Sequence, residues 1–206
     1  MKGVKEYIDE SIFGGGDIIR NTEDALKQEV IDELCKYIYD YKRISRYLDI
    51  NLGPKGYEII TNIGNSPYVE AQSCVLSDLP ERGLKYKISK FCGGLLYLNS
   101  IECTDLTAVF TPDCEFDGSL VISWCGFLTS LDGCPKKVNK FDCSVNKSLI
   151  SIEGAPRECK FFRWANNGIA RYVNGFSAKK PKKGMEPTEE NIRKYLKSKT
   201  AHIELE

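Results

Sequence analysis

One stretch of the chain, Lys140–Pro156, limits the possible folds more than any other part of the sequence. Within KFDCSVNKSLISIEGAP, Phe141 and Cys143 stand two residues apart, as side chains on one face of a strand do. Three more positions follow at intervals of three residues before a Gly-Ala-Pro turn, and they are Asn146, Leu149 and Ile152. This pattern predicts one coil of a repeat array, because it combines a short strand, a spaced series of inward positions and a closing turn.

Four other segments align with this coil in the pattern of a leucine-rich-type repeat, L-x-x-L-x-L-x-x-N/C-x-L, most of them with one extra residue after the N/C position. In chain order they are Val69/Ala71/Cys74/Leu76, Leu98/Ser100/Cys103/Leu106, Leu120/Ile122/Cys125/Leu128 and Phe161/Arg163/Asn166/Ile169. From the second unit onward, consecutive units start 22, 21 and 20 residues apart, whereas the first two start 29 apart. This gap predicts an insertion or a degenerate unit around residues 80–95.

The predicted fold belongs to the α+β class, because the repeats are flanked by helix signals. No single coil can bury its own apolar face, so stacked coils must form the core. We predict a leucine-rich-repeat-type solenoid with short parallel strands, an N-terminal helical cap and a C-terminal helix. The predicted regions are a docking peptide with a glycine linker (1–20), a helical cap with an edge strand (21–62), the repeats (63–178), and a basic linker with the C-terminal helix (179–206).

The helix signals lie on both sides of the repeats. Residues 22–47 carry one apolar stripe at helical spacing, formed by Leu26, Val30, Leu34, Tyr37, Ile38 and Tyr41. A turn at 53–56 then leads into a predicted strand, Tyr57–Thr61. The second helix is predicted to start after the capping residue Thr188 and to run to about Lys199. Its predicted buried face is Ile192, Tyr195 and Leu196, and residues 201–206 are predicted to add a short strand or a lid.

The first residues form a short amphipathic segment before three consecutive glycines. Val4, Tyr7, Ile8 and Ile12 share one helical face, and Gly14–Gly16 is predicted to break the helix. The segment fits a detachable docking peptide, and it equally fits a first helix that lies on the main body.

Composition excludes several functions and indicates what the cysteines do. The 29 basic residues balance the 29 acidic ones, which disfavours nucleic acid as a partner, and the sequence has no apolar run long enough to cross a membrane. The nine cysteines include no CxxC pair, and His202 is the single histidine. We therefore expect small apolar thiols inside a solenoid, with no metal and no cofactor.

The predicted binding surface is the concave face of the solenoid. Its outward strand positions are Asn99, Ile101, Val121, Ser123, Asp142, Ser144, Phe162 and Trp164, preceded by Glu70 and Gln72 in the first unit. Exposed aromatic side chains anchor interfaces, so Phe162 and Trp164 are expected to bind a partner unless the C-terminal helix packs over them. Packing by that helix is the interpretation we favour.

The repeat unit, together with LTSLDGCPKKVNK before it, resembles a leucine-rich-like repeat family of tailed phages that includes crAss-like phages of gut bacteria. Residues 188–194 (TEENIRK) look like the terminal helix of that family. Separately, MKGVKEYIDESIF resembles the capsid-targeting leaders of phage internal head proteins, and Ile8-Asp9-Glu10 matches their processing motif. The resemblance implies a virion component or packaged cargo docked through its N-terminal segment.

Three hypotheses about function follow. The first is a non-enzymatic, protein-binding virion component or packaged cargo. The second is an intracellular phage protein that binds and inhibits a host factor through the concave face. The third is a small enzyme that uses a thiol or the Asp9/Glu10 and Asp32/Glu33 pairs. The first two imply location in the virion or in the host bacterial cytoplasm, and the sequence leaves the oligomeric state open.

Overall fold

The chain folds into a parallel β-solenoid of about four turns, built mostly from strands. The computed structural model describes residues 15–61, 73–167 and 181–205, and within these ranges the side chains from residue 24 onward, except that of Arg46. The helices are α1 (Gly15–Cys35), α2 (Tyr41–Ile44) and α3 (Glu189–Tyr195), with 3-10 turns at Ser45–Tyr47 and Leu106–Ala108. The strands are β1 (Leu48–Leu52), β2 (Tyr57–Thr61), β3 (Ser73–Ser77), β4 (Ile88–Asn99), β5 (Phe110–Ser123), β6 (Lys140–Asp142), β7 (Phe161–Arg163) and β8 (His202–Glu204).

These strands form one sheet in the order β1-β2-β4-β5-β6-β7-β8, and β3 also pairs with β4. Only β1 is antiparallel to its neighbour, because a tight turn at Gly53–Gly56 joins it to β2. β2 lies along the first half of β4 and β3 along its second half. Together they occupy the place of a single strand of the first coil, with residues 62–72 between them.

The end of each coil is marked by a residue in the left-handed backbone region. We call these residues the turn column, and their φ angles lie between 54° and 63°: Asp78, Ser100, Trp124, Val145 and Asn166. Consecutive members are 22, 24, 21 and 21 residues apart. The residues just before them form two inward columns of fully buried or nearly buried side chains, Cys74/Leu96/Leu120/Phe141/Phe162 and Leu76/Leu98/Ile122/Cys143/Trp164.

The solenoid prediction is confirmed, but the predicted register is wrong at both ends of the array. Phe141 pairs with Phe162 rather than with Phe161, so the last unit starts one residue later than predicted. The doublet Phe161-Phe162 fits an alternating pattern in either register, and a one-residue slip exchanges the two faces of a strand. At the other end, Leu120 pairs with Leu96 instead of Leu98, and Cys74 is a strand residue rather than a turn residue.

A buried asparagine connects the coils at the turn position. Asn146 is fully buried, and its Nδ2 donates to the carbonyls of Ile122 (2.9 Å) and Cys143 (2.7 Å). Its Oδ1 accepts from the backbone N–H of Cys125 at 3.1 Å. One coil later, Asn167 Oδ1 accepts from the N–H of Asn146 at 2.6 Å. The side chain thus satisfies backbone groups where the chain turns and no strand partner is present.

The coils differ in width. β4 and β5 contain 12 and 14 residues, whereas β6, β7 and β8 contain three each. Because β6 pairs only with Ser119–Val121, the first half of β5 extends beyond the coil that follows it. The expected irregularity around residues 80–95 is therefore the beginning of a long strand, Ile88–Asn99, rather than an inserted unit.

The N-terminal helix differs from its prediction at both ends. α1 begins at Gly15 and includes Gly16, so the predicted break at Gly14–Gly16 is wrong for these two residues. The helix ends at Cys35 instead of residue 47, and the chain then runs beside β3, where Tyr39 N–H donates to Val75 O at 2.8 Å. Of the predicted stripe, Val30, Leu34 and Ile38 are buried, while Leu26 is 58% exposed.

The C-terminal elements confirm the predicted cap, buried face and strand, but the helix is shorter than predicted. Thr188 caps α3, accepting from Asn191 N–H at 3.2 Å, and the helix ends at Tyr195 rather than near Lys199. Ile192, Tyr195 and Leu196 are buried, as predicted. The predicted terminal strand is β8, which pairs in parallel with β7.

Candidate functional site

The outer face of the sheet presents a ladder of side chains that crosses five strands. Its central column runs from Tyr97 through successive coils and consists of Tyr97, Val121, Asp142, Arg163 and Glu204. A second column beside it contains Asn99, Ser123, Ser144 and Ala165. Parallel pairing places equivalent residues side by side. The accessible part of this surface comes from the half-buried members Tyr97, Asn99, Val121, Arg163 and Glu204, whereas Ser123, Asp142, Ser144 and Ala165 are buried between them. We call the two columns together the outer ladder.

Polar interactions connect the members of the outer ladder. Arg163 lies between two carboxylates, with Nε 2.9 Å from Glu204 Oε1 and Nη1 3.6 Å from Asp142 Oδ2. At the other end, the Tyr97 hydroxyl is 2.6 Å from the Ser123 hydroxyl. Asp142 also accepts from Ser144 N–H at 3.1 Å and is nearly buried. The ladder is therefore pre-ordered, which reduces the entropy lost when a partner binds.

Two aromatic side chains lie beside the ladder, in the loop after β5. Trp124 is 61% exposed and Phe127 is 49% exposed. Trp124 belongs to the turn column, and its backbone N–H donates to Val145 O at 3.2 Å. The backbone at Trp124 is thus attached to the next coil, so the indole leaves the chain at a defined point of the surface. Tryptophan is strongly enriched among residues that dominate binding energy at interfaces.

The structure separates the predicted concave-face residues into two groups. Asn99, Val121, Ser123, Asp142 and Ser144 lie on the outer face, although the last three are nearly buried. Ile101, Phe162 and Trp164 lie in the core, with exposures of 1%, 0% and 5%, so their predicted outward position is wrong. Ile101 follows the turn column, and the two aromatic residues change faces because of the register error.

Other predicted site residues fall outside the part of the chain that the structure describes. These are the docking residues Val4, Tyr7, Ile8 and Ile12, the processing motif Ile8-Asp9-Glu10, and the first-unit positions Glu70 and Gln72. Their roles stay predictions.

Sequence reasoning missed three members of the surface: Tyr97, Arg163 and Trp124. The predicted register places Arg163 in the inward column and leaves Tyr97 one strand position before the aligned unit. Trp124 directly follows β5 in the sequence, where a large aromatic residue at a chain reversal is a usable signal. The repeat pattern assigns no role to Trp124, because its defined positions in this coil include the neighbours Ile122 and Cys125 but not the residues between them.

Six of the nine thiols are placed for packing rather than for chemistry, while Cys35, Cys92 and Cys114 are half-buried. Cys74, Cys103, Cys125, Cys134, Cys143 and Cys159 are buried. Burial raises the pKa of Cys159 to about 11, and burial with a nearby Asp105 carboxylate raises the pKa of Cys103 to about 11. A nucleophilic cysteine needs the opposite shift.

We expect these six thiols to react slowly with a thiol reagent in the native protein. At pH 8, a pKa of about 11 instead of 9.0 lowers the thiolate fraction of Cys159 about a hundredfold, and burial also blocks access. The measurement is labelling followed by peptide mass spectrometry, with the urea-unfolded chain as the control. Native labelling of a buried cysteine as fast as in urea would show that the packing is wrong.

Metal-binding clusters and membrane-spanning helices are both absent from residues 15–61, 73–167 and 181–205. No group of three or more His, Cys, Asp or Glu side chains in these ranges is placed to hold a metal ion. Among the described helices, none is both long and apolar enough to cross a membrane. Comparison of the chain with protein-family models, curated proteins and solved structures finds no match.

Proposed function

We propose that the chain is a non-enzymatic, phage-encoded solenoid that binds another protein through the outer ladder and the adjoining Trp124 loop. The observation that carries this proposal is Trp124, which is 61% exposed on a left-handed turn at the border of a pre-ordered polar surface. An aromatic anchor next to a polar surface matches the anatomy of protein interfaces. The raised pKa values of Cys103 and Cys159 argue against either as a thiol nucleophile.

The finer assignment of the coils to the leucine-rich type is part of the proposal. It is supported by the shared 21-residue spacing of the last units and by the buried asparagine at the turn position, where Asn146 matches the N/C position of the pattern. The proposed N-terminal helical cap is supported by Tyr57, whose hydroxyl donates to Val30 O of α1 at 2.6 Å. The proposed phage origin rests on the repeat resemblance.

Two settings for this binding role remain as alternatives. In the first, the chain is a virion component or packaged cargo docked through its N-terminal segment. In the second, it acts in the host bacterial cytoplasm and inhibits a host factor. Mass spectrometry of purified particles separates the two settings. Only a virion component or packaged cargo is expected at about the same copy number in every virion preparation.

We expect Trp124→Ala to abolish partner capture without unfolding the protein. Loss of an interface anchor weakens binding by at least about 2 kcal/mol, or roughly thirtyfold. Since the indole is mostly exposed, the free energy of unfolding should change by less than about 0.5 kcal/mol. The measurement is capture from phage-infected lysate, followed by titration of the identified partner.

The matched control is Tyr39→Ala. Tyr39 is 66% exposed and is aromatic, but it lies beside β3 and not beside the Trp124 loop. The Tyr39→Ala variant should bind the partner as the wild type does. Equal loss in both variants, or unchanged binding by Trp124→Ala, would contradict the proposed surface.

A further inference from the structure

A cleft lies at the opposite end of β5 from the Trp124 loop. Its volume is about 440 Å³, within the range of about 300–1,000 Å³ that small-molecule sites occupy. Its walls come from several coils and from α3. The lining includes three cations, Lys87, Lys136 and Arg157, and three ring-bearing residues, Phe110, Pro112 and Tyr195.

The cleft exists because the coils differ in width. Phe110 pairs with Ile88 of β4, but the next paired residue, Glu115, is opposite Lys90, so Thr111–Cys114 form a bulge in β5. Pro112 lies in this bulge, where its missing N–H is tolerated. On the other side, β6 does not reach this part of β5, since its pairing begins at Ser119. The next coil therefore leaves the start of β5 uncovered, and this part of β5 forms one wall of the cleft.

The repeat places two of the cations side by side. Lys136 and Arg157 are 21 residues apart, each directly follows a proline, and Arg157 N–H donates to Lys136 O at 2.8 Å. Lys87 reaches the cleft from the coil of β4. Among the described residues that line the cleft none is acidic, and a recess with charges of one sign attracts counter-ions strongly.

One cation is held in a fixed orientation. The guanidinium of Arg157 lies 3.7 Å from the ring centre of Tyr195, and Nη1 donates to Tyr195 O at 3.1 Å. The Tyr195 hydroxyl in turn donates to Ala155 O at 2.9 Å. These contacts use one of the five guanidinium N–H groups and leave others for a ligand. A planar donor fixed in this way is suited to a phosphate oxygen pair.

We propose that this cleft binds a phosphate-bearing small molecule of nucleotide size. Its phosphate groups contact Lys87, Lys136 and Arg157, and its flat ring packs against Pro112, which is exposed, whereas Phe110 is buried beneath the cleft. Each cation supplies charge-assisted hydrogen bonds, while the proline supplies apolar contact. The cleft is separate from the outer ladder, so the ligand-binding proposal is tested independently of the protein-binding proposal.

The size of the cleft favours a small ligand over a nucleic acid, because its three cations line one recess of about 440 Å³. More lysines lie in the neighbouring cavity of about 330 Å³, which is lined by Lys137, Lys160 and Lys197. Of these three, Lys197 pairs with Glu158, with 3.2 Å between Nζ and Oε1. A nucleic acid would use both cavities as one basic track, so an oligonucleotide is included in the test.

The test is isothermal titration calorimetry of the full chain with ADP and with pyrophosphate. Both probes should bind at a single site, and ADP should bind more tightly because of its ring. Lys87→Gln and Lys136→Gln should each weaken ADP binding about tenfold, the value of one charge-assisted hydrogen bond. Lys147→Gln, which removes an exposed lysine from a loop outside the cleft, should leave the affinity unchanged.

Three results would overturn the proposal. They are absence of binding for both probes, equal affinity of ADP for the wild type and for both cleft variants, and binding of a single-stranded oligonucleotide that ADP does not displace. Because Lys87 and Lys136 are exposed, their variants should melt as the wild type does, so a weaker affinity would reflect the site itself. Partner capture by Trp124 is measured separately and should survive in both variants.

Discussion

Asn146→Ala is expected to lower the free energy of unfolding by about 3–5 kcal/mol. The substitution removes three hydrogen bonds in a fully buried position and leaves Cys125 N–H without its acceptor and Ile122 O without this donor. Each unsatisfied buried group costs about 1–3 kcal/mol. Cys143 O suffers less, because Asn167 Nδ2 still donates to it at 2.7 Å. Equilibrium urea unfolding measures the loss.

The matched control is Asn139→Ala. The Asn139 side chain is exposed and donates only to Asp117 Oδ1, at 3.2 Å. The same truncation should there cost less than about 0.5 kcal/mol. If the two variants differ by less than about 1 kcal/mol, the asparagine does not connect the coils in the way the hydrogen bonds indicate.

Gly154→Ala is expected to destabilise the protein by more than about 4 kcal/mol, enough to prevent folding in a marginally stable chain. A Cβ at this position would lie 2.4 Å from Leu131 C and 2.5 Å from Asp132 N, both backbone atoms of the preceding coil. The backbone is also in the left-handed region, at φ +86°. Thermal and urea unfolding of the purified variant, or its absence from the soluble fraction, reports the result.

Gly184→Ala separates the two causes of this loss. Gly184 has nearly the same φ, +84°, but no atom lies within 4 Å of the position that an alanine methyl group would take. Alanine should therefore cost only about 1 kcal/mol of backbone strain there. The difference between the variants measures how closely the coils approach each other. Equal losses would mean that strain alone accounts for both.

Much of the architecture could be predicted from the sequence, because local patterns carry it. The strand Tyr57–Thr61, the buried face of α3 and the terminal strand are all encoded by residues within a few positions of each other. The register of the last coil could not be predicted, since Phe161-Phe162 and Asn166-Asn167 are doublets in which either member fits. Packing against the Phe141 ring, at 5.3 Å between ring centres, selects Phe162.

The candidate sites were less predictable, because they depend on differences between coils. Predicting the outer ladder requires the correct register of the last coil. The predicted register was wrong by one residue, so it placed Phe162 instead of Arg163 on the outer face. Predicting the cleft requires the lengths of the strands, because the cleft exists only where β5 is much longer than β6. The spacing of the repeat pattern does not reveal this difference in length. Lys136 and Arg157 follow prolines in aligned turns, so the sequence predicts that they lie close together. It does not predict the cleft beside them.

The pairing of β8 with β7 has a consequence for synthesis on the ribosome. Phe161 and its partner His202 are 41 residues apart, about twice the separation between equivalent residues of the last coils. While the intervening residues are being translated, the open edge of β7 can pair with a strand of another nascent chain. A translational pause in this interval would therefore favour aggregation, and rapid synthesis of α3 and β8 would protect the coils already formed.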